Sequence, residues 1–198
     1  MKKISLCLFM FLCMSSLSFG QVKINQKFSF DSFEKAEKAS NKLKFTVVST
    51  KVGLFSSDVD GYALQFDTIA EMNDKTVKGM AIRIPSAQLN TDSGSRDDKL
   101  HELCLSAKKY PEIIVKINGE YDYTTGKTQK LPATVNIRGK EKPTTVEIEA
   151  SSNGDFLLVE AKSIWKLSEM EIPDPSIAVA KLSDEIKINV KLQLPIKK

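Results

Sequence analysis

Residues 185–194 read EIKINVKLQL, an unbroken alternation of polar and apolar side chains. Every second residue from Ile186 to Leu194 is apolar, and charged or amide residues occupy the positions between them. Successive side chains of a β-strand point to opposite faces, so this stretch predicts a strand with one apolar and one solvated face. Pro195 ends the strand because proline lacks the backbone donor that the ladder needs.

Seven further stretches of the chain alternate in the same way, most of them in hairpin succession. Asn153-Gly154, between the last two, is a strong signal for a tight β-hairpin. Eight antiparallel strands can close into a barrel, which leaves no sheet edge open to aggregation. We therefore predict a mainly β fold, an eight-stranded antiparallel barrel, with a flattened sandwich as the alternative. The seven stretches are residues 43–47, 59–67, 80–84, 113–123, 131–137, 146–150 and 157–165.

Between the third and fourth of these strands the pattern changes to a helical one. Apolar residues from Leu100 to Ala107 recur at helical spacing, opposite charged ones. Asp97 and Lys108 lie where the two ends of a helix favour negative and positive charge. The sequence therefore predicts one inserted amphipathic helix, from about residue 97 to residue 108, laid on the strands.

The first 20 residues have the organisation of a secretory signal peptide. Lys2 and Lys3 form a basic start, an apolar run of eleven residues follows, and small residues lead to Gly20. The apolar run is shorter than the roughly 20 residues that a membrane-spanning helix needs, so an uncleaved anchor is the weaker interpretation. We predict cleavage after Gly20, a periplasmic or secreted protein, and a single barrel domain over residues 21–198.

Cleavage at that point would leave a nearly neutral chain with one cysteine. The formal net charge falls from +4 to +2 when Lys2 and Lys3 are removed, which favours neither nucleic acid nor an anionic surface as partner. Cys7 and Cys13 leave as well, so Cys104 has no cysteine with which to form an intramolecular disulfide. We interpret Cys104 as a small buried hydrophobe.

The sequence contains no recognisable catalytic or metal-binding constellation. His101 is the only histidine, and on the predicted helix it lies toward the solvent whereas Cys104 faces the strands. No Cys or His cluster has zinc spacing, and no Gly-rich phosphate loop or Gly-x-Ser-x-Gly elbow occurs. Asp58 and Asp60 are interpreted as solvated loop carboxylates, and Trp165 as a core or rim residue. We therefore predict no catalytic residues, no metal and no cofactor: the protein is not expected to be an enzyme.

Three stretches resemble the YceI-like family, exported bacterial proteins often called lipid- or polyisoprenoid-binding. The first, FTVVSTKVGLFSSDVDGYALQFD at residues 45–67, is similar to an opening pattern of Phe-x-Val, Gly-x-Phe and Val-x-Gly. The second, residues 84–115, contains SAQLNTDSGSRDDKL and KYPEIIV, and the third is ATVNIRGKEKPTTVEIEA at residues 133–150. With the final strand, the resemblance extends from about residue 43 to residue 194.

The resemblance implies an extended eight-stranded barrel of lipocalin-like shape around a long apolar tunnel. The implied ligand is an amphiphile such as an isoprenoid quinone or another lipid. One position departs from the family's Arg-Asp-x-His-Leu pattern. Arg96 and Asp97 are present, but Lys99 stands where the histidine is expected, and His101 lies two residues further on.

We predict that the inward side chains hold a lipophilic amphiphile, an isoprenoid or other lipid chain, as a ligand rather than a cofactor. Each CH₂ group removed from water contributes about 0.8 kcal/mol, so such a chain can bind without polar contacts. The alternative is a ligand-free envelope interaction or structural module with a filled core, docking through the loop at residues 167–180. The sequence leaves a homodimer open. The predicted ligand-binding residues are Phe45, Val47, Leu64, Phe66, Ile82, Ile84, Val115, Ile117, Val135, Ile137, Val146, Ile148, Ile188, Val190 and Leu192.

Overall fold

The computed structural model describes residues 22–51, 55–73 and 75–196. Within them the chain is mainly β, and its strands form one antiparallel sheet that curls around an apolar interior. The helical segments are α1 (Phe33–Lys38), a 3-10 turn (Ser86–Gln88), α2 (Gly94–Lys99) and a π turn (Leu100–Cys104). The strands are β1 (Val22–Ser29), β2 (Lys42–Lys51), β3 (Phe55–Ala63), β4 (Gln65–Met72), β5 (Thr76–Pro85), β6 (Leu89–Asn90), β7 (Glu112–Ile117), β8 (Tyr121–Asp122), β9 (Gln129–Ile137), β10 (Lys140–Asn153), β11 (Phe156–Lys166) and β12 (Ala180–Pro195).

Residues 1–20, the predicted signal peptide, lie outside the described residues. The cleavage site after Gly20 therefore stays a prediction. Among the helices that the structure describes, none combines the length and the apolar composition that a bilayer crossing requires.

Burial in the strands follows the alternation of the sequence. In β11 every second residue from Leu157 to Trp165 is buried, and the residues between them are exposed or half-buried. The turn predicted at Asn153-Gly154 joins β10 to β11, and Gly154 has a φ of 58°, a conformation that glycine adopts without strain. The period-two pattern therefore identifies the inner face of the sheet correctly.

The curled sheet is held together by a short chain connection between distant strands as well as by hydrogen bonds between neighbouring strands. Its order is β1-β4-β5-β7-β9-β10-β11-β12-β2-β3-β6, and β8 pairs with β5. β3 and β4 lie far apart in this order, yet only Leu64 separates them along the chain. The Leu64 N–H donates to the Gln88 carbonyl over 2.7 Å, and its carbonyl accepts from the Phe30 N–H over 2.8 Å. We call the β1-β4-β5 side and the β2-β3-β6 side of this order the two arms of the sheet. Leu64 is the point where the two arms meet.

The prediction of eight strands is wrong, because the described residues form twelve. The stretch at residues 59–67 alternates as one strand but bends at Leu64, and its two halves pair with different partners. The stretch at residues 113–123 also divides, into β7 and β8, although both of these strands pair with β5. β1 alternates only weakly, and β6 has two residues, too few for any period. The hydrogen-bonded order also has two ends, β1 and β6, and so is a curled sheet rather than a continuous closed ladder.

The helical segment overlaps with the predicted one but is displaced toward the N-terminus. It runs from Gly94 to Cys104 rather than from 97 to 108, and it follows β6 rather than the third strand. Its last turn widens, because the Leu105 N–H donates to the Leu100 carbonyl, five residues back. Ser106 then takes a φ of 48°, in the left-handed region, which ends the helix before the apolar pattern ends.

One end of the interior is a packed core. The rings of Phe28 and Phe66 lie with their centroids 4.8 Å apart, and Phe66, Leu157 and Leu194 are fully buried. Tyr121 is also buried, and burial raises the pKa of its hydroxyl far above the usual value. Close packing at this end supplies much of the apolar burial that stabilises the fold.

Candidate functional site

A cavity of about 640 Å³ occupies the other end of the interior. Its walls are the inner faces of β2, β5, β7 and β9 to β12, together with the α2 segment and the loop between β11 and β12. Most of the side chains around it are aliphatic or aromatic. The volume lies within the range of small-molecule pockets in proteins, about 300 to 1,000 Å³.

Ten of the fifteen predicted ligand-binding residues line this cavity. They come from β2, β5, β7, β9, β10 and β12, so the curl of the sheet brings together side chains from six strands. Their role in holding a ligand stays a prediction. The ten residues are Phe45, Val47, Ile82, Ile84, Val115, Ile117, Ile137, Val146, Ile188 and Val190.

The other five predicted residues do not line the cavity. Phe66, Val135, Ile148 and Leu192 are buried in the packed core. Leu64 is half-buried at the bend between β3 and β4, where its backbone joins the two arms of the sheet. Alternation identifies the face on which a side chain lies but not its depth along the interior, so it does not separate these five from the ten that line the cavity.

On five strands, the first residue of the packed core next to the cavity lining can be identified. On each of five strands, the next inward residue beyond the last one that lines the cavity is buried. On β12, for example, Val190 lines the cavity and Leu192 is buried beneath it. We call this set of residues the floor. It consists of Met80, Val135, Ile148, Val159 and Leu192.

Sequence reasoning missed the part of the wall that lies outside the regular strands. Leu167, Ile172 and Ile177 of the β11–β12 loop line the cavity, as do Leu100 and Cys104 of the π turn. The loop carries no periodic signal, so its inward residues could not be identified from a pattern. The prediction that it is a loop is confirmed.

Trp165 also lines the cavity, in agreement with its interpretation as a core or rim residue. Its indole Nε1 donates to the Ser163 hydroxyl over 3.0 Å, and that hydroxyl donates to the Thr145 carbonyl over 2.8 Å. Both side chains share the inward parity of β11, which is the signal that could have added them to the predicted site. Because the chain has one tryptophan, its fluorescence reports directly on this wall.

Charged residues of both signs lie around the cavity. Lys51, Asp58, Arg96 and Lys99 contribute to its lining at the end of β2, in β3 and on α2. Lys99, which stands in place of the family's histidine, is thus beside the cavity. An amphiphile with its apolar chain in the interior would have polar groups available for its head.

Asp60 is bound by two side chains of the neighbouring strand β2. The prediction that it is a solvated loop carboxylate is therefore wrong. It lies 2.8 Å from the Lys44 ammonium and accepts from the Thr46 hydroxyl over 2.7 Å. Burial acts to raise the pKa of Asp60, but the bonds from Lys44 and Thr46 hold that pKa below its usual value. Within the described residues, no group of three or more His, Cys, Asp or Glu side chains could hold a metal ion.

The Arg96-Asp97 pair fixes the α2 segment beside the cavity. The buried Asp97 carboxylate accepts from the Thr91 N–H and hydroxyl, over 2.8 and 2.6 Å, and from the Asn90 amide over 2.8 Å. Arg96 donates to the Thr91 carbonyl over 2.7 Å. These residues therefore hold the segment that follows β6 against the start of the helix.

Arg138 fixes the other end of the helical segment. Arg138 and Gly139 form the two-residue turn between β9 and β10, with φ values of 53° and 72°. The Arg138 guanidinium donates to the Cys104 carbonyl over 2.6 Å and to the Leu103 carbonyl over 3.1 Å. Two of the stretches that carry the family resemblance thus position the same helical segment over the cavity.

His101 is placed differently from the prediction. It is half-buried rather than directed to solvent, and its Nε2 donates to the Leu89 carbonyl over 2.7 Å. Cys104 is buried, as predicted, and burial raises the pKa of its thiol to about 11. A thiol with that pKa is a poor nucleophile at neutral pH, and the histidine is engaged with a backbone group.

We expect Cys104 to react slowly with a polar disulfide reagent in the native chain. A pKa raised from 9.0 to about 11 lowers the thiolate fraction near neutral pH by about a hundredfold, and burial slows access further. The measurement compares labelling rates, in the chain that begins at Gln21, with and without denaturant. A Leu103→Cys, Cys104→Ser variant moves the thiol to an exposed neighbour and should react rapidly. Equal rates for Cys104 in the native and unfolded chain would contradict the expectation.

Hydrogen bonds and ion pairs hold the β11–β12 loop against the sheet. The Ser168 N–H and hydroxyl donate to Asp184 over 2.8 and 2.6 Å. Glu171 accepts from the ammonium groups of Lys140 and Lys142, which hold the pKa of its carboxyl down at about 2. The loop is therefore held in place as part of the cavity wall.

Acid is expected to loosen this loop. The carboxyl of Glu171 has a lower pKa in the folded chain, about 2, than its ordinary value of 4.5. Its contribution to stability is therefore present above pH 4.5 and is lost as the pH falls toward 2. Over that interval the loop amides should lose protection against hydrogen exchange, measured as their rate relative to that of an unstructured peptide at the same pH. In the Glu171→Gln variant, the loop amides should exchange faster at neutral pH than in the wild type. Their protection should also no longer change between pH 4.5 and 2 through this residue. The same dependence of protection on pH in both proteins would contradict the expectation.

The geometry defines a class: a curled antiparallel sheet around an apolar cavity, the architecture of small-ligand binding barrels. The model of the YceI-like domain matches residues 16–194. The chain belongs to the YceI-like family. No curated protein has a matching sequence.

Solved structures share the fold. BcnA from Burkholderia cenocepacia has a TM-score of 0.62 and 16% identity, covering 76% of this chain and 95% of its own. A polyisoprenoid-binding domain from Saccharophagus degradans, implicated in plant cell wall breakdown, has a TM-score of 0.55 and 10% identity, covering 80% and 99%. A YceI protein from Campylobacter jejuni has a TM-score of 0.57 and 21% identity, covering 75% and 94%. At these identities the likeness shows the fold alone.

Proposed function

We propose that the protein is an exported binding protein that holds one lipophilic amphiphile, an isoprenoid or another lipid chain, in the cavity. The observation that carries the proposal is the cavity of about 640 Å³, whose walls are largely apolar. Membership of the YceI-like family supports a lipid-binding role, and one structural neighbour is a polyisoprenoid-binding domain. Burial of an apolar chain supplies binding free energy without polar contacts.

The cavity favours a carrier over a module with a filled core. In a filled barrel, inward side chains from strands on opposite sides of the curled sheet would touch across the interior and leave no cavity of this size. We also propose that the protein binds without catalysis. Support comes from Cys104, whose thiol pKa is raised to about 11, and from His101, whose Nε2 is bonded to the Leu89 carbonyl.

The proposal is tested with protein purified from its native host. An organic extract analysed by mass spectrometry is expected to contain a stoichiometric amphiphile. Adding an isoprenoid alcohol to delipidated protein should change the emission of Trp165 saturably, because this side chain lines the cavity. Repeated absence of an extractable amphiphile, together with no saturable change in emission, would count against the carrier.

Export is part of the proposal, and the pattern of residues 1–20 supports it. Intact mass measurement of the protein from the periplasm or the culture medium should give a chain that begins at Gln21. A chain that still begins at Met1 and stays in the cytoplasm would contradict this part of the proposal.

A further inference from the structure

We propose that Ser49, Ser57 and Lys51 bind the head of the amphiphile, and that this head is an anionic group with acceptor oxygens, a carboxylate or a phosphate. This inference rests on the proposed function, because it concerns the ligand of the same cavity. It goes further by naming where the head lies and which chemistry the head carries. We call these three residues the head site.

The inward face of β2 changes from polar to apolar along the strand. Lys51, at the end of β2, is exposed, whereas Leu43 is buried. An amphiphile has the same change of polarity along its own length. A ligand that lies along β2 therefore places its head beside the polar residues and its chain beside the apolar ones. From the exposed end inward, the residues of β2 that line the cavity are Lys51, Ser49, Val47, Phe45 and Leu43.

Ser57 extends the head site to the neighbouring strand. In the antiparallel pairing of β2 and β3, Ser57 lies directly opposite Ser49. Side chains paired in this way have Cβ atoms about 5 Å apart, and Lys51 follows Ser49 on the same face of β2 at about 7 Å. All three residues line the cavity, so two hydroxyl groups and one ammonium group can reach the same head.

The polar groups of the head site are available to a ligand. The buried hydroxyls of Ser163 and Thr91 also line the cavity, but they donate to the Thr145 carbonyl over 2.8 Å and to the Asp97 carboxylate over 2.6 Å. Among the described residues, no hydrogen bond or ion pair engages the side chains of the head site. Ser49 is only 6% exposed, and a buried hydroxyl is costly unless water or a ligand satisfies it.

Lys51 gives the head site a positive charge. It is the one charged residue of β2 with inward parity. Asp58 and Asp60 also border the cavity, but they pair in register with Val48 and Thr46, on the other face of the sheet. The charge at the head site therefore favours an anion over a cation. Of the four remaining charged residues in the lining, three are positive and one is negative; they are Asp92, Arg96, Lys99 and Lys162.

The test compares ligands that share a dodecyl chain and differ in the head: carboxylate, phosphate, alcohol or ammonium. The emission of Trp165 measures each Kd, because Trp165 lines the cavity two strands from Val47, which precedes Ser49 on the inward face of β2. We expect both anions to bind about tenfold more tightly than the alcohol, since hydrogen bonds to charged groups are stronger, and the ammonium to bind most weakly. Whichever anion binds more tightly identifies the head.

Two results of this comparison would contradict the proposal in different ways. Equal Kd values for all four heads would overturn the head site while leaving the proposed function intact. If no dodecyl ligand changes the emission of Trp165, the proposed function fails and the head site fails with it.

Substitutions in the head site should change the ratio of two Kd values, that of dodecanol to that of dodecanoate. Ser49→Ala and Ser57→Ala should each lower this ratio about fivefold, because a hydroxyl bonds a carboxylate more strongly than an alcohol. Lys51→Gln should lower it by up to about fivefold. A wall that is merely distorted would weaken both ligands equally, so the ratio isolates the head site. A wild-type ratio in all three variants would show that the head lies elsewhere.

Ser56→Ala and Lys181→Gln are the matched controls. Both residues pair in register with Thr50, at the same end of the sheet but on its opposite face, and should leave all four Kd values unchanged. Ser49→Ala should unfold at a temperature no lower than the wild type, because a methyl group replaces a hydroxyl that has no protein partner. A marked loss of stability in this variant would assign the hydroxyl a structural role and count against the head site.

Discussion

Replacing Asp97 with alanine is expected to lower the free energy of unfolding by about 3 kcal/mol. The buried carboxylate accepts three hydrogen bonds, two from Thr91 and one from Asn90. Its removal leaves those donors without their acceptor in a part of the chain from which water is largely excluded, and each such donor is costly. Chemical denaturation followed by circular dichroism measures the loss.

Asp98→Ala provides the control for this prediction. Asp98 is the exposed neighbour of Asp97, so its truncation should change stability by no more than about 0.5 kcal/mol. Equal stability of the two variants would show that the bonds of Asp97 do not hold the segment after β6. Since Arg96 also contacts Thr91, Arg96→Ala should destabilise the chain less than Asp97→Ala does.

Gly61→Ala is expected to destabilise the fold by about 1–3 kcal/mol and to weaken ligand binding. Gly61 lies opposite Phe45 on the neighbouring strand, and an added Cβ would lie 2.0 Å from the Phe45 Cζ atom. The ring must move, and because Phe45 lines the cavity, its movement changes the shape of the site. Thermal unfolding and the Trp165 titration measure the two effects.

Gly79→Ala is the matched control for this substitution. Gly79 is also a strand glycine, but no atom lies within 4 Å of a Cβ built there. Its replacement should leave ligand affinity unchanged and should be neutral or slightly stabilising, because alanine loses less backbone freedom on folding. A Gly61→Ala variant as stable as Gly79→Ala, with unchanged affinity, would contradict the prediction.

The alternation of the sequence predicts the mainly β fold and the inward face of the strands. It identifies Ile188 and Val190, and both line the cavity. Leu192 follows the same parity but belongs to the floor, because period two carries no information about depth along a strand. The bend at Leu64 escapes prediction for a similar reason: a chain can change its hydrogen-bonding partners without interrupting its alternation.

The helical segment and the polar groups were less predictable. The end of the helix depends on the left-handed backbone at Ser106 and on the guanidinium of Arg138, which is distant in sequence. The hydrogen bond of His101 to Leu89 depends likewise on tertiary contact. Such features arise from the packing of the helical segment on the sheet, which local periodicity does not encode.

The separation of a packed end from a hollow end has an evolutionary consequence. Residues such as Phe66 and Leu194 stabilise the molecule without touching the cavity, whereas Ile188 lines it and is only half-buried. Changes that adapt a binding site commonly reduce stability, and a chain tolerates them only while it stays above the threshold for folding. Here selection can alter the residues around the cavity at one end while the other end keeps the chain folded.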